Sequence, residues 1–331
     1  MLQTLSRVYW MTGDRKELNW ALRLGDYYLL GEHHPTRDEE TLRLRDHGCE
    51  IVSGLCELYA TVNFAMPAKK ALYRAPLYEM LDHILQFGRN EHGLFYNGIY
   101  NKTGRHDKDL ADTWGYNLNG FYTVYLIDKT ENYRQAVLKV LGSLNDYYKN
   151  YQWEGSSADG YADSIEGAIN LYNREPVDSA AKWIDSEIKV MWDMQKPDGT
   201  IEGWHGDGNF ARTTIMYCLW KTKGLTIRPW SDDVVFGASR EGDSLKVYIN
   251  SDRRWQGKLL FDTPRHKTVM KMPLDWPRIN QFPEWFTIDA NKHYMVQDLT
   301  SNTRKSYTAQ QMADGINISV QAGVPQYLIV Q

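Results

Sequence analysis

Four short stretches of this 331-residue chain carry the side chains best suited to chemistry. They read Arg45-Asp46-His47-Gly48-Cys49-Glu50, Ala111-Asp112-Thr113-Trp114-Gly115-Tyr116, Ala162-Asp163-Ser164-Ile165-Glu166-Gly167 and Asn209-Phe210-Ala211-Arg212. Asp46 and Asp112 each stand just before a helix, where free N–H groups and the helix dipole stabilise an anion. Taken singly, either reads equally well as a helix cap. Brought to one pocket, two carboxyls acquire different pKa values and can act as the acid and the base that cleave a glycosidic bond. Asp163 and Glu166 lie three apart, hence on one helical face. They read either as cap and dipole partner or as the source of the second carboxylate, in competition with Asp46. The stretch from Gly203 to Arg212 adds Trp204, which can stack on a sugar, His205, which can move a proton, and Arg212, which can grip a substrate carboxylate bidentately. The plain alternative is a turn with an exposed His and an Arg paired to a structural acid. Trp114 and Tyr116 read as core by type and as a sugar-binding wall by position, and His47 stands beside Asp46.

The elements that must position these groups follow from periodicity. Spacings of 66, 51 and 49 residues separate Asp46, Asp112, Asp163 and Arg212. Periods of this size mean a stacked or toroidal repeat of helical hairpins. Nine helices are predicted before residue 224. Five are counted as inner: one at the start of the chain, marked by the helical spacing of Leu2, Leu5, Val8 and Tyr9, then the buried-looking 47–62, 113–127, 163–172 and 210–222. Four are amphipathic: 14–31, capped by Asp14, 76–87, opened by Pro76, 131–149, and one from an Asp178 cap to about Met194. Residues 32–45 read as a polar loop. Alternation of inner and outer helices is that of an (α/α)6-type toroid. A closed ring needs three more helices before Met1, about a hundred residues at ordinary lengths, so the ring is expected to be incomplete at its N-terminus or closed by something else. After Pro229, short β-rich runs separated by Gly, Asp and Pro predict an antiparallel β-sandwich. The domains expected are 1–228 and 229–331.

Composition narrows the partners. A net charge of −4 gives no basic surface for nucleic acid or anionic membrane, and no run is apolar and long enough to span a bilayer. Twelve Trp and 22 Tyr suit either core filling or sugar stacking. Three cysteines outside any C-x-x-C pair indicate neither a disulfide framework nor a zinc site. The neighbouring histidines of Glu32-His33-His34 cannot easily share one ion, so no metal and no cofactor is expected.

Asp46 in Arg-Asp-His-Gly opening one inner helix, and Asp112 in Ala-Asp-Thr opening the next, resemble the six-hairpin glycosidases. Within them the pattern is most similar to the unsaturated glucuronyl and rhamnogalacturonyl hydrolases. Arg45 stands where those families carry a His, and they usually lack the C-terminal sandwich. The resemblance implies an exo-acting glycoside hydrolase on glucuronide or unsaturated uronide oligosaccharides. Asp112 would be its proton donor or base and Asp46 or Asp163 the partner. Arg212 would hold the uronate, with Arg45 as a second cation, and Trp114, Trp204 and Tyr116 would line the sugar. A polymeric substrate implies a periplasmic or extracellular setting. A polysaccharide lyase using His47, His205 or Tyr161 as base, and a non-catalytic glycan-binding toroid, are the alternatives. Self-association into a homo-oligomer stays open.

Overall fold

The computed structural model describes residues 1–201 and 208–331. Among these, nine long helices alternate between an inner and an outer set; the three middle inner helices are buried on nearly all sides, whereas the first and last, at the two ends of the array, are only partly buried, so the last is not buried all round as expected. The inner set is α1 (Leu2–Thr12), α3 (His47–Ala65), α5 (Trp114–Asp128), α7 (Ala158–Tyr172) and α9 (Asn209–Thr222). The outer set is α2 (Arg15–Gly25), α4 (Pro67–Phe87), α6 (Glu131–Tyr147) and α8 (Asp178–Trp192). In α5 every residue from Trp114 to Val124 is buried. In α6 burial falls on Tyr133, Ala136, Val137, Val140, Leu141 and Leu144, the single stripe of a helix with one wet face. The inner helices α1, α3, α5 and α7 pack side by side in succession, and each outer helix backs the inner helix before it, the (α/α) toroid arrangement. The inner helices approach closely where side chains vanish. A Cβ on Gly115 would lie 2.4 Å from the Cα of Gly167, so α5 and α7 touch backbone to backbone.

Several helix boundaries differ from the expected ones. The fourth helix starts at Pro67, and Pro76 lies inside it. The buried stripe of Tyr73, Leu77, Met80, Leu81 and Ile84 runs on both sides of Pro76, so packing carries the helix across the lost hydrogen bond. The seventh begins at Ala158 under a Ser157 cap that accepts from the Gly160 N–H, which places Asp163 in the second turn rather than at a cap. Asp178 is the first helical residue after Val177 and makes no cap. Asp14 does cap α2, accepting from the Lys16 N–H. Part of the expected loop 32–45 is a strand, β1 (Thr41–Arg43), paired with β2 (Gly98–Tyr100), which pairs in turn with β3 (Arg105–His106).

Helix gives way to strand at β4 (Thr226–Arg228). The later strands are β5 (Val234–Glu241), β6 (Ser244–Ser251), β7 (Trp255–Leu260), β8 (His293–Asp298), β9 (Thr303–Thr308), β10 (Ile316–Val320) and β11 (Gln326–Val330). They form two antiparallel sheets, β5-β6-β11-β8-β9 and β10-β7-β4. Alternate residues Leu245, Val247 and Ile249 on β6 and Ile316, Ile318 and Val320 on β10 supply their shared core. The β-rich run Thr268-Val269-Met270 forms no strand, because Thr268 ends a single helical turn and irregular chain follows.

Chain contacts divide the molecule into two units. The first holds Met1–Thr214 together with Met270–Gln281, and the second holds Ile215–Val269 with Phe282–Gln331. The helical unit is therefore discontinuous in sequence. Residues 270–281 lie along its inner helices. Met272 and Trp276 are buried against Ala60, with Trp10, Leu126 and Ile127 around them, near the C-terminal ends of α3, α1 and α5. Burying a side chain such as Trp276 contributes roughly 3 kcal/mol, enough to anchor the segment. From there the chain runs to the opposite ends of the inner helices, where Ile279 packs on Cys49 and Tyr116.

Candidate active site

The inner-helix starts are registered to one another by hydroxyl groups. Thr113 Oγ1 donates to the Leu44 carbonyl at 3.0 Å, Ser164 Oγ to the Asp112 carbonyl at 3.0 Å, and Thr213 Oγ1 to the Ala162 carbonyl at 2.9 Å. Each copy of the repeat thus bonds the copy before it. The residue preceding each hydroxyl is Asp112, Asp163 or Arg212, and all three are delivered to the same end of the array. Asn117 adds a second bond to the Leu44 carbonyl at 2.7 Å, which ties the Asp46 loop to the start of α5.

A cavity of about 430 Å³ opens at that end. Its wall includes Arg43, Asp46, His47, Cys49 and Glu50 from the first copy and Thr113 and Tyr116 from the second. Asp159 and Asp163 come from the third, Asn209 and Arg212 from the fourth, and Ile279 and Asn280 from the 270–281 segment. Acids outnumber cations on this wall.

Asp46 occupies the residue before α3 at φ 44°, ψ −136°, a backbone conformation costly for any residue but glycine. Its cause is local. Gly48 sits so close to the end of β1 that a Cβ would lie 2.3 Å from the Arg43 carbonyl oxygen, and the chain must turn sharply between them. The carboxylate of Asp46 makes no cap; it is bonded by Arg43 and lies 3.6 Å from Arg45 Nε.

Asp112 is buried, at 6% exposure, and no cation pairs with its carboxylate among the described residues. Burial is the main reason its pKa rises to about 7, and the charges of Glu154 and Asp46 add to the rise. Glu154 stands in a tight turn with a left-handed backbone, φ 45°. The same neighbourhood holds Cys49, whose thiol is pushed up by burial and by the charges of Asp163, Glu50 and Asp112.

Asp163 and Glu166 share a different arrangement. Tyr116 Oη lies 2.8 Å from Asp163 Oδ1 and 2.7 Å from Glu166 Oε2. Arg212 Nη2 reaches Glu166 Oε2 at 2.5 Å, Tyr116 Oη at 3.1 Å and Asp163 Oδ1 at 3.2 Å, while its Nη1 donates to Asn209 Oδ1 at 2.5 Å. Tyr116 has one proton for two carboxyl oxygens, and Arg212 Nη2 reaches both as well. Burial, with the charges of Glu166 and Asp159 behind it, pushes Asp163 well above the usual carboxylate range. Burial also raises Glu166, against the pull of Arg212.

The expected site residues therefore divide. Asp46, His47, Tyr116, Asp163 and Arg212 meet on one cavity wall, with Glu166 behind it and Asp112 beside it. His47 is almost fully exposed, its Nδ1 3.7 Å from Glu50 Oε1. Trp114 does not reach the cavity: it is fully buried, edge-on to Trp183 at 6.3 Å, because the side of α5 that carries it faces the outer layer. Trp204 and His205 lie outside the described residues. Arg43, Glu154, Ile279 and Asn280 were missed. Arg43 had a signal, since Thr41-Leu42-Arg43-Leu44-Arg45 alternates and the structure buries Leu42 and Leu44 while exposing both arginines. Glu154, Ile279 and Asn280 had none.

No protein-family model matches the sequence, and no curated protein is significantly similar to it. Among solved structures, the chain is similar to a D-mannose isomerase at 11% identity and a TM-score of 0.45, covering 60% of this chain and 59% of that one. It is similar to a possible member of glycoside hydrolase family 105 from Klebsiella pneumoniae at 15% identity and a TM-score of 0.44, covering 60% and 59%. It is also similar to a polysaccharide lyase at 18% identity and a TM-score of 0.44, covering 63% and 68%. The aligned part spans about three fifths of the first two of these proteins.

Proposed function

We propose that the chain is a carbohydrate-active enzyme, a glycoside hydrolase that takes the terminal sugar of an oligosaccharide into the acid-lined cavity. The observation that carries this reading is Asp112. It is a buried carboxyl with no cation beside it among the described residues, its pKa raised to about 7, next to an Asp46 held on strained backbone. A carboxyl tuned to neutrality can protonate a leaving oxygen, and an ionised carboxylate nearby can activate water. Asp112 is assigned as the acid and Asp46 as its partner, with water as nucleophile. Because the acid must be protonated to act, turnover is expected to fall as pH rises past about 7.

The finer reading is that the sugar is a uronic acid, glucuronic or its unsaturated form, drawn from a polymer outside the cytoplasm. Arg212 is committed to Glu166, Asp163 and Asn209. The cations placed to meet a uronate are Arg43 and, beyond it, Arg45, both exposed. Lyase chemistry is the weaker reading, because burial raises the Tyr161 phenol and leaves little phenolate at neutral pH, and His47 stands almost fully exposed at the cavity's edge.

The test is Asp112→Asn assayed on a panel of uronate-bearing and neutral oligosaccharides. Loss of about 10²- to 10⁴-fold in kcat with an unchanged circular dichroism spectrum is expected. Full activity in the folded variant would remove the assignment. Ultraviolet absorbance of a new C=C bond in the products would indicate a lyase instead.

A further inference from the structure

The cavity's floor is made by a turn from far along the chain, and that turn is held more tightly than its irregular backbone suggests. Arg7, itself bonded bidentately through Nε and Nη2 to Glu57, donates through Nη1 to the Ile279 carbonyl at 3.0 Å. Arg278 is buried and donates to the Trp276 carbonyl at 2.8 Å, and its N–H donates to Gln281 Oε1 at 3.1 Å. Gln281 Nε2 reaches Asp275 Oδ1 at 3.0 Å, and Arg174 Nη2 holds the other oxygen of Asp275 at 2.5 Å. Asn280 stands at the top of this turn in left-handed backbone, φ 61°, a conformation asparagine tolerates better than most residues. Its N–H donates to Glu166 Oε1 at 2.7 Å, the same carboxyl group that binds Tyr116 and Arg212 through its other oxygen.

These bonds fix the main chain of Asn280 and leave its side chain in the cavity. The residue is exposed, lines the cavity, and its amide makes no hydrogen bond to any other described residue. An amide offers two donors and one acceptor oxygen, the complement that a ring hydroxyl needs. Beside it Ile279 offers an apolar surface of the kind that meets the C–H face of a sugar. With the main chain fixed, only the side chain's own rotamers remain to be ordered when the amide meets a ligand.

We propose that Asn280 is a substrate-recognition residue whose side-chain amide hydrogen-bonds one hydroxyl of the sugar seated in the cavity, and this rests on the carbohydrate function proposed above. The main chain at 280 keeps Glu166 in place, and the side chain selects the sugar. The two roles separate under substitution. Asn280→Gly keeps the N–H and suits the positive φ while deleting the amide. Asn280→Asp keeps the side chain's shape and replaces its donors with a charge.

The experiment uses the full chain and a panel of methyl glycosides: glucuronide, galacturonide, glucoside, galactoside and mannoside. Affinities are measured by calorimetry in the Asp112→Asn background, and hydrolysis of the matching oligosaccharides in the otherwise unaltered protein. Asn280→Gly is expected to weaken the best-bound sugar roughly 10-fold, the loss of one hydrogen bond, and to narrow the difference between epimers. It should raise KM with little change in kcat and leave the melting temperature where it was. Asn280→Asp should weaken a uronide more than the matching neutral sugar. If both variants bind and hydrolyse like the parent, the amide has no part in recognition and the proposal fails while the hydrolase reading stands. If Asn280→Gly weakens sugar binding but no oligosaccharide is cleaved by the parent, recognition stands and the hydrolase reading fails. If none of the sugars binds the parent, both fail.

Discussion

The Asp112 side of the cavity and the Asp163 side are built from the same repeat, an acid followed by a hydroxyl residue, yet they acquire different partners. Burial raises both acids. Around Asp163 the fold supplies Arg212, Tyr116 and Asn209, so every partner of the pair Asp163–Glu166 is engaged. Around Asp112 it supplies further acids, Glu154 and Asp46, and no cation among the described residues. A buried carboxyl relieved by a guanidinium holds a structure together. One left with other acids costs stability, and such a cost persists where a proton has to be delivered. The repeat by itself says where the acids go; the neighbours decide what each one does.

The sharpest way to break this contrast is to make the same change on both sides. Asp163→Asn should leave kcat within about tenfold of the parent, because its amide oxygen can still accept from Tyr116, whereas Asp112→Asn removes the proton itself. Equal losses on the two sides would show that the network around Arg212 also takes part in the reaction. Next in size is Arg212→Met, which strands buried Glu166 and Asp163 and should cost about 3–5 kcal/mol in urea unfolding. Arg43→Met, at an exposed pair, should cost about 1 kcal/mol or less in the same measurement.

A third prediction concerns pH. Asp112 binds its proton more tightly in the folded chain than in the unfolded one, at about 7 against 3.8. Between those values the native state carries more protons, so its stability falls as pH rises, by at most about 1.4 kcal/mol per unit, and the loss is complete above about 7. Asp112→Asn lacks this dependence. Its stability relative to the parent should grow from pH 4 to pH 7 and then level off, and a constant difference across that range would mean that Asp112 is not held as described. The smallest effect is at Asp46. With φ at 44°, Asp46→Gly should be about 1 kcal/mol more stable than Asp46→Ala, both being inactive, and equal melting temperatures would show that the backbone there is not strained.

Much of the helical architecture was legible because burial has a period. Tyr133 through Leu144 announce an outer helix by spacing, and the unbroken apolar run of α5 announces an inner one. Boundaries were less legible. Asp163 looks like a cap because acids before apolar runs usually are, but Ser157 starts the helix a turn and a half earlier and buries the acid. Pro76 looks like a start because prolines break helices, but the stripe it interrupts is strong enough to continue. Within the site, the acids were visible by type and spacing. Their partners were not, since Arg212 could have met a substrate or Glu166 with equal chemistry, and only the fold chooses. Asn280 was beyond reach. Its segment carries no repeat motif, lies between strands, and joins the site through contacts more than a hundred residues away, such as its bond to Glu166.

That segment also sets an order of events. Synthesis delivers the inner helices first, and the fourth copy of the repeat is complete by Thr214. Residues 215–269 must then be made before Met270 leaves the ribosome. At ordinary elongation rates this takes roughly 3–10 s, during which a nascent helical array already holds Asp46, Asp112 and Asp163 but has nothing at 279 and 280. A chain released after Thr214 and before Ile279 would carry the whole acid set with neither the apolar face nor the amide. Completion of the cavity is thereby timed to the appearance of the strand-forming third of the chain, and a message cut short in that stretch yields a chain with its acids and no floor.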